Sequence, residues 1–301
     1  MPEASEHEHA GGAGALLRER IARHGAISFA EYMRVALYDA DCGYYSGRRQ
    51  RTGRGGDFIT SPTVSGLFGQ LLGGQFHAVW EACGRPRPFH MIEQGAHDGR
   101  LAADIVGALA DEHPELLECL QLVIIEPNRR LEDVQRSVLG GLAAARWHRG
   151  LDELPPVACG IHYSNELVDA FPVHLAESDG ERWLELRVDC DRCGRFEFVA
   201  RPPGRELAAS AAFRALPRRP AGYRCEVGVA AREWIEALCG RLERGLIMVI
   251  DYGLPRAELL AESRRSGTLR GYSGHRQHVD VLGAPGESDI TAHVDFSNLA
   301  Q

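Results

Sequence analysis

No apolar run in this chain approaches the roughly 20 residues that a membrane-crossing helix needs. A basic excess is missing as well: 34 Lys and Arg stand against 42 Asp and Glu, a formal net charge of −8. That balance lacks the electrostatic footprint of a non-specific nucleic-acid binder, while it permits a basic partner. The opening residues, MPEASEHEHAGGAGALLRER, have neither the basic start nor the apolar core of a signal peptide, and they are too acidic for a mitochondrial transit peptide. A cytoplasmic location is therefore expected, with residues 1–14 as a disordered lead-in whose His7 and His9 are solvated. Zinc ligands are short too. Of eight cysteines only Cys190 and Cys193 are close, in RVDCDRCGRFEF, and no second C-x-x-C or histidine pair completes the four ligands of a structural site. No metal is expected. Scattered thiols suit a reducing compartment better than a disulfide framework. Internal repeats and long low-complexity tracts are absent.

What is present is enough chain, 301 residues, for one large α/β domain or a domain with insertions. LLRERIARHG reads as a short helix stopped by Gly25. Ser28 and Glu31 form a capping box ahead of FAEYMRVALYD. Ser61 and Pro62 can start the next helix, which places Val64, Leu67, Phe68, Leu71 and Leu72 on one face. Then strands and helices alternate: FHMIEQG, a helix over about 100–110, LQLVIIEPN, a helix over about 131–139, a weak strand in ARWHRGLDELP, then VACGIHYSNELVDAFPV. Alternating residues on both sides of DRCG predict a β-hairpin, and RGLIMVIDYG is the most apolar strand. Buried strands alternating with helices predict a mostly parallel, doubly wound sheet.

Ligands of such sheets bind beyond the carboxyl ends of the strands. Those ends carry Glu93, Gly95 and Gly99, then Glu126, then Asn165, Glu166 and Asp169, and finally Asp251 and Tyr252. A dinucleotide loop reads G-x-G-x-x-G because it must meet a pyrophosphate. Here EQGAHDG has the spacing G-x-x-x-G, with an acid two residues before the first glycine. Glu126, at the end of the second strand, suits a two-oxygen grip on ribose hydroxyls. The combination leans to S-adenosylmethionine, which has a ribose and an amino-acid end but no phosphate.

The blocks ISFAEYMRVALYDADCGYYS, GDFITSPTVSGLFGQ, EQGAHDGRLAADI, IIEPNRRLEDVQ, SNELVDAFPV, VIDYG, SGTLRGY with His275, and DITAHVDF occur in order over residues 27–296. The chain thereby resembles the MidA-like methyltransferases, relatives of the mitochondrial complex I assembly arginine methyltransferases. The resemblance implies a class I methyltransferase (Rossmann-like) fold at 89–301. A helical N-terminal segment at 15–88 would precede it, and an insertion bearing the hairpin would fall at about 174–225. It implies S-adenosylmethionine as cofactor and a protein arginine as acceptor, in a subunit of a large complex. By motif, Gly95 and Gly99 would line the methionine end of the cofactor, Glu93 would support that loop and Glu126 would hold the ribose. Asp57, Thr60 and Ser61 would cover the cofactor, and Asn165 and Glu166 would face the transferred methyl. Carboxylates clamp a guanidinium with two parallel hydrogen bonds; Glu166 and Asp169 are the candidates, with helix capping or a loop role as the alternative for Asp169. Tyr44, Tyr45 and Tyr272 read as packing, and His275 and His293 as structural.

Two departures matter. His97 takes the place of a middle glycine, where it stacks on the cofactor, hydrogen-bonds it or blocks it, and Asp98 is placed to compensate at the amino end. The family's last helix and hairpin are also missing after DITAHVDFSNLAQ, which predicts five parallel strands and an open edge at the fifth. Truncation, homodimerisation and reuse of the hairpin all accommodate that edge. A second reading is therefore a pseudo-methyltransferase acting as an assembly or interaction factor. A third, a nicotinamide-dependent oxidoreductase, rests only on the first strand–turn–helix.

Overall fold

The computed structural model describes residues 12–45, 66–142, 144–274 and 276–301. The expectations for His7, His9, Asp57, Thr60, Ser61, Pro62, Val64 and His275 lie outside the described residues. The chain folds into two compact units, one from Phe58–Val168 with Glu233–Asp251, the other from Met1–Asp57, Asp169–Arg232 and Tyr252–Gln301. No helix among the described residues is long and apolar enough to cross a membrane.

The first unit holds a five-stranded sheet, all parallel. Its strands in chain order are Phe89–Gln94, Leu120–Ile125, Ala145–His148, Gly160–Asn165 and Gly245–Ile250. Their spatial order is fifth, fourth, first, second, third. The fifth strand is an edge, and among the described residues its outer side pairs with no further strand. Alternation along each strand feeds two cores, as a doubly wound sheet requires. Phe89, Met91, Leu122, Ile124, Ile161 and Tyr163 pack with the helices Leu67–Ala82 and Arg100–Glu112. Ile92, Val123 and Ile125 face the other way, with Leu154 and Val157.

The face expected of the helix Leu67–Ala82 is corrected. Leu67 and Leu71 are 59% and 62% exposed, and the buried positions are Gly69, Leu72, Gly73, Phe76 and Trp80. Glycine decides this. A Cβ on Gly69 would lie 2.4 Å from the Asp104 Cβ, so the glycine stripe is what lets this helix close on Arg100–Glu112.

In the second unit the helix Gly12–His24 starts inside the segment expected as lead-in, and Gly25, at φ 76°, ends it. Ser28 Oγ accepts from the Glu31 N–H at 3.1 Å. The returning half of the expected capping box goes elsewhere, because the Glu31 carboxylate takes Arg20 at 3.2 Å. The hairpin is present as Trp183–Cys190 against Phe196–Arg201, with Asp191 accepting from the N–H groups of Cys193 and Arg195. It is part of something larger. Ile27–Ser28, His174–Ser178 and Arg224–Val227 complete a five-stranded antiparallel sheet, so the N-terminal segment and the insertion share one sheet. The block DITAHVDF forms the strands Asp289–Thr291 and Val294–Asp295 and the short helix Phe296–Leu299. Its first strand pairs antiparallel with Arg270–Ser273.

Candidate functional site

Strand order reverses between the first and fourth strands, the switch point at which open α/β sheets bind ligands. Two turns leave the sheet there. One is the glycine loop after Gln94; the other is Asn165–Glu166–Leu167. They touch: a Cβ on Gly95 would fall 3.0 Å from Leu167 Cδ1, and Gly95 has φ 76°. Glycine is therefore required at 95 both by conformation and by its neighbour.

Glu93 is only 2% exposed and faces inward. Its Oε2 accepts from the Tyr163 hydroxyl at 2.9 Å, and the Ala102 N–H also reaches the carboxylate. Burial pushes this carboxyl up to about 8, against the lowering effect of Tyr163. Its contacts tie the strand end to the start of the helix Arg100–Glu112, which is how it supports the loop. Gly99, φ 81°, caps that helix.

His97 adopts φ 50° with a half-exposed side chain. Histidine tolerates the left-handed region better than most residues with a side chain. Its imidazole Nδ1 stands 3.8 Å from Asp98 Oδ1, while the backbone carbonyl accepts from Gln135 Nε2 at 2.9 Å. Asp98 Oδ1 accepts from the Arg100 N–H at 3.1 Å. The His97 imidazole, more than the Arg100 N–H, holds the Asp98 carboxyl below its ordinary value despite partial burial.

Glu126 ends the second strand and is buried. Oε1 accepts from the Asn128 N–H at 2.8 Å and Oε2 from Gln135 Nε2 at 3.0 Å. Burial raises its carboxyl above the ordinary value. Each oxygen keeps a lone pair for a further donor, which is what a vicinal diol supplies. Asn128 also caps the helix Arg129–Leu139 by accepting from the Arg130 N–H.

Across the switch point, Glu166 has φ 50°, held by its N–H donating to Ile250 O at 2.8 Å. Its carboxyl is raised, by burial first and then by Asp251, with Asn165 opposing. Asp251 Oδ2 accepts from the Val168 N–H at 2.8 Å. Asn165, Glu166 and Asp251 thus form one polar group on adjacent strand ends. Asp169 belongs to the second unit. There its carbonyl accepts from the Ala292 N–H, and its charge helps raise the phenols of Tyr38 and Tyr45. Tyr45 donates to Asp289 Oδ1 at 2.7 Å, so its ring is not mere packing. Gln135 was missing from the sequence reading of the site, although it ends the block IIEPNRRLEDVQ.

One group of metal-ligating types lies together among the described residues: His77, His113 and Glu115, with donor atoms within 4.8 Å of one another. The two imidazoles are parallel within 5°, centroids 3.7 Å apart. An ion binds an imidazole nitrogen in the ring plane at about 2.0–2.1 Å, so rings stacked this way cannot share one as placed. Cys190 and Cys193 are free thiols.

Comparisons with known proteins bear on this arrangement. A family model for S-adenosyl-L-methionine-dependent methyltransferases matches residues 71–301. Protein arginine methyltransferase NDUFAF7, mitochondrial, of Danio rerio is 30% identical over 308 residues, covering 94% of this chain and 70% of the relative. The Mus musculus protein of that name is 31% identical over 310 residues, covering 94% and 67%. A crystal structure from Burkholderia thailandensis, bound to S-adenosyl-homocysteine, superposes with a TM-score of 0.84 at 36% identity, covering 95% of this chain and 74% of that one.

Proposed function

This chain belongs to the S-adenosyl-L-methionine-dependent methyltransferase family, and from that premise we propose that it transfers the cofactor's methyl group to an arginine of a protein. The observation that carries the proposal is the meeting, at the switch point, of the glycine loop with the Asn165–Glu166–Asp251 group. The relatives named protein arginine methyltransferases support the choice of acceptor. Gly95 and Gly99 would leave room for the methionine end, and Glu126 would take the ribose hydroxyls.

Methyl transfer is an in-line attack on an electrophilic carbon, so the protein's part is mainly positioning. Arginine stays charged at any physiological pH. An ionised Glu166 would accept two of its N–H groups and turn the remaining nitrogen toward the methyl carbon. Asp251 beside it adds negative potential. Among the described residues no strand pairs with the outer side of Gly245–Ile250, and a homodimer would form through that edge.

The test uses the folded protein with tritiated S-adenosylmethionine and arginine-rich peptides. Label is expected in methylarginine after hydrolysis, and S-adenosylhomocysteine is expected to bind in calorimetry. Label confined to another amino acid would overturn the acceptor, and failure of the folded protein to bind would overturn the whole reading.

A second reading, cofactor binding without turnover, is favoured by one observation, a histidine in the left-handed region at 97. The geometry makes that substitution tolerable, because the residue's carbonyl anchors the loop on the buried Gln135 amide. His97→Gly is therefore expected to keep S-adenosylhomocysteine affinity within about threefold, since every residue type offers that carbonyl. A loss of tenfold or more (about 1.4 kcal/mol) would show the imidazole to be a ligand contact.

A further inference from the structure

Gln135 is fully buried on the helix Arg129–Leu139, and its side-chain hydrogen bonds all leave that helix. Its amide makes three side-chain contacts. Nε2 donates to the His97 carbonyl at 2.9 Å and to Glu126 Oε2 at 3.0 Å, and Oε1 accepts from the Trp147 indole N–H at 2.9 Å. Two of the partners are acceptors only and the third is a donor only. Turning the amide over would set its oxygen against a carbonyl and a carboxylate, and its NH2 against an indole N–H. One orientation is therefore imposed by all three partners together. Trp147 is itself held, with the Arg136 guanidinium 4.0 Å above its ring. Gly99 completes the contact from the loop side, because a Cβ there would fall 3.2 Å from the Gln135 Cα.

We propose that Gln135 is the positioning residue of the cofactor site, one amide that fixes the glycine loop and the Glu126 carboxylate relative to each other and leaves each Glu126 oxygen a lone pair for a ribose hydroxyl. This rests on the reading that Glu126 takes the ribose. The amide reaches His97, 38 residues back along the chain, and Glu126, 9 residues back. It also helps keep a left-handed histidine in the loop, because the carbonyl at 97 has a buried donor aimed at it. A buried amide with all its hydrogen-bonding capacity directed is a stiff element, and losing it leaves a buried carboxylate short of a donor.

The experiment is a double-mutant cycle on S-adenosylhomocysteine affinity, read by calorimetry, with Gln135→Leu, Glu126→Gln and the double variant. The melting temperature of each unliganded protein is measured alongside. Gln135→Leu is expected to weaken binding about tenfold, the size of one charge-assisted hydrogen bond, and Glu126→Gln by at least that much. The double variant is expected to lose clearly less than the two single losses together, because part of what Gln135 does acts through that carboxylate. A merely structural residue would show losses that add. Additive losses, or an undiminished affinity in Gln135→Leu beside a weakened Glu126→Gln, would overturn the proposal and leave the ribose reading standing. Undiminished affinity in Glu126→Gln would overturn the ribose reading and this proposal with it. If Gln135→Leu does not fold, Trp147→Phe removes only the donor to the amide oxygen. It is expected to weaken binding about threefold, again with a loss that does not fully add to that of Glu126→Gln, and the same two outcomes decide.

Discussion

Replacing Glu166 by Gln is expected to cut methyl transfer at saturating cofactor by about 10²-fold or more, the scale of a preorganised charge that acts on the reacting groups. S-adenosylhomocysteine affinity should change by less than about threefold, since Gln135 and the glycine loop carry that end of the site. The substitution keeps shape and removes charge. A neutral amide offers one acceptor oxygen, so the two-point grip on a guanidinium is lost along with its electrostatic part. The backbone argues for a site assignment as well. A glutamate at φ 50° is a strained choice, costing of order 1–3 kcal/mol, and such strain collects at functional positions. Here the Ile250 carbonyl maintains it.

The pH dependence follows from the sign of the shift. Burial and then Asp251 raise the Glu166 carboxyl, and the clamp needs its ionised form. Rate should therefore climb with pH through a value above the ordinary 4.5, and Glu166→Gln should lack that limb. Initial rates with labelled cofactor across pH 5–9 are the measurement. A variant as fast as the wild type would remove Glu166 from the mechanism.

The second large effect is on stability. Glu185→Leu is expected to destabilise the unit that contains the antiparallel sheet by about 2–5 kcal/mol, the cost of leaving the His174 ring N–H and the Gly204 N–H without their acceptor. The Glu185 carboxylate is 1% exposed and makes four contacts. Oε1 accepts from His174 Nδ1 at 2.8 Å, and Oε2 accepts from Arg187 Nε at 2.9 Å and the Gly204 N–H at 2.8 Å, with Arg187 Nη2 also at 2.9 Å. A carboxylate is acceptor-only, so Nδ1 carries the proton of that pair. Burial alone would raise this carboxyl, but the donors from His174, Gly204 and Arg187 outweigh it and bring it below the ordinary 4.5.

A lowered carboxyl contributes stability that is fully present above the unfolded value and lost as pH falls through the folded one. Wild type should thus lose stability below about pH 4.5, and the variant should lose less over the same interval. Urea unfolding at pH 7 and pH 4, followed by near-ultraviolet circular dichroism, tests both statements. A midpoint at pH 7 equal to that of wild type would show that the network carries no stability.

Much of this architecture was legible before the structure. The strand ends were readable because apolar runs stop abruptly at charged residues, and a parallel sheet collects those ends on one edge. Glu93, Gly95, Gly99, Glu126, Asn165, Glu166 and Asp251 were all placed on that edge by this argument alone. The face of the helix Leu67–Ala82 was misjudged because leucines at helical spacing carry no sign of which neighbour they meet. Gly69 and Gly73 settled it by the depth to which they admit Arg100–Glu112. The hairpin was visible in its alternation, but its pairing with Ile27–Ser28 was not, because nothing local in a two-residue strand announces a distant partner.

The sequence by itself determined the parallel sheet, the family and the cofactor. Each of these depends on periodicity, on glycine where a side chain cannot fit, or on ordered motifs, and all are properties of short stretches. Only the tertiary structure decided what stands behind those stretches. It turned Glu93 inward onto Tyr163, divided Asn165 and Glu166 from Asp169 between two compact units, and brought the amide of Gln135 between His97 and Glu126. The physical reason is common to all three. A hydrogen bond is directional and short, so which groups satisfy one another depends on how elements pack, and that is settled only once the chain has closed on itself.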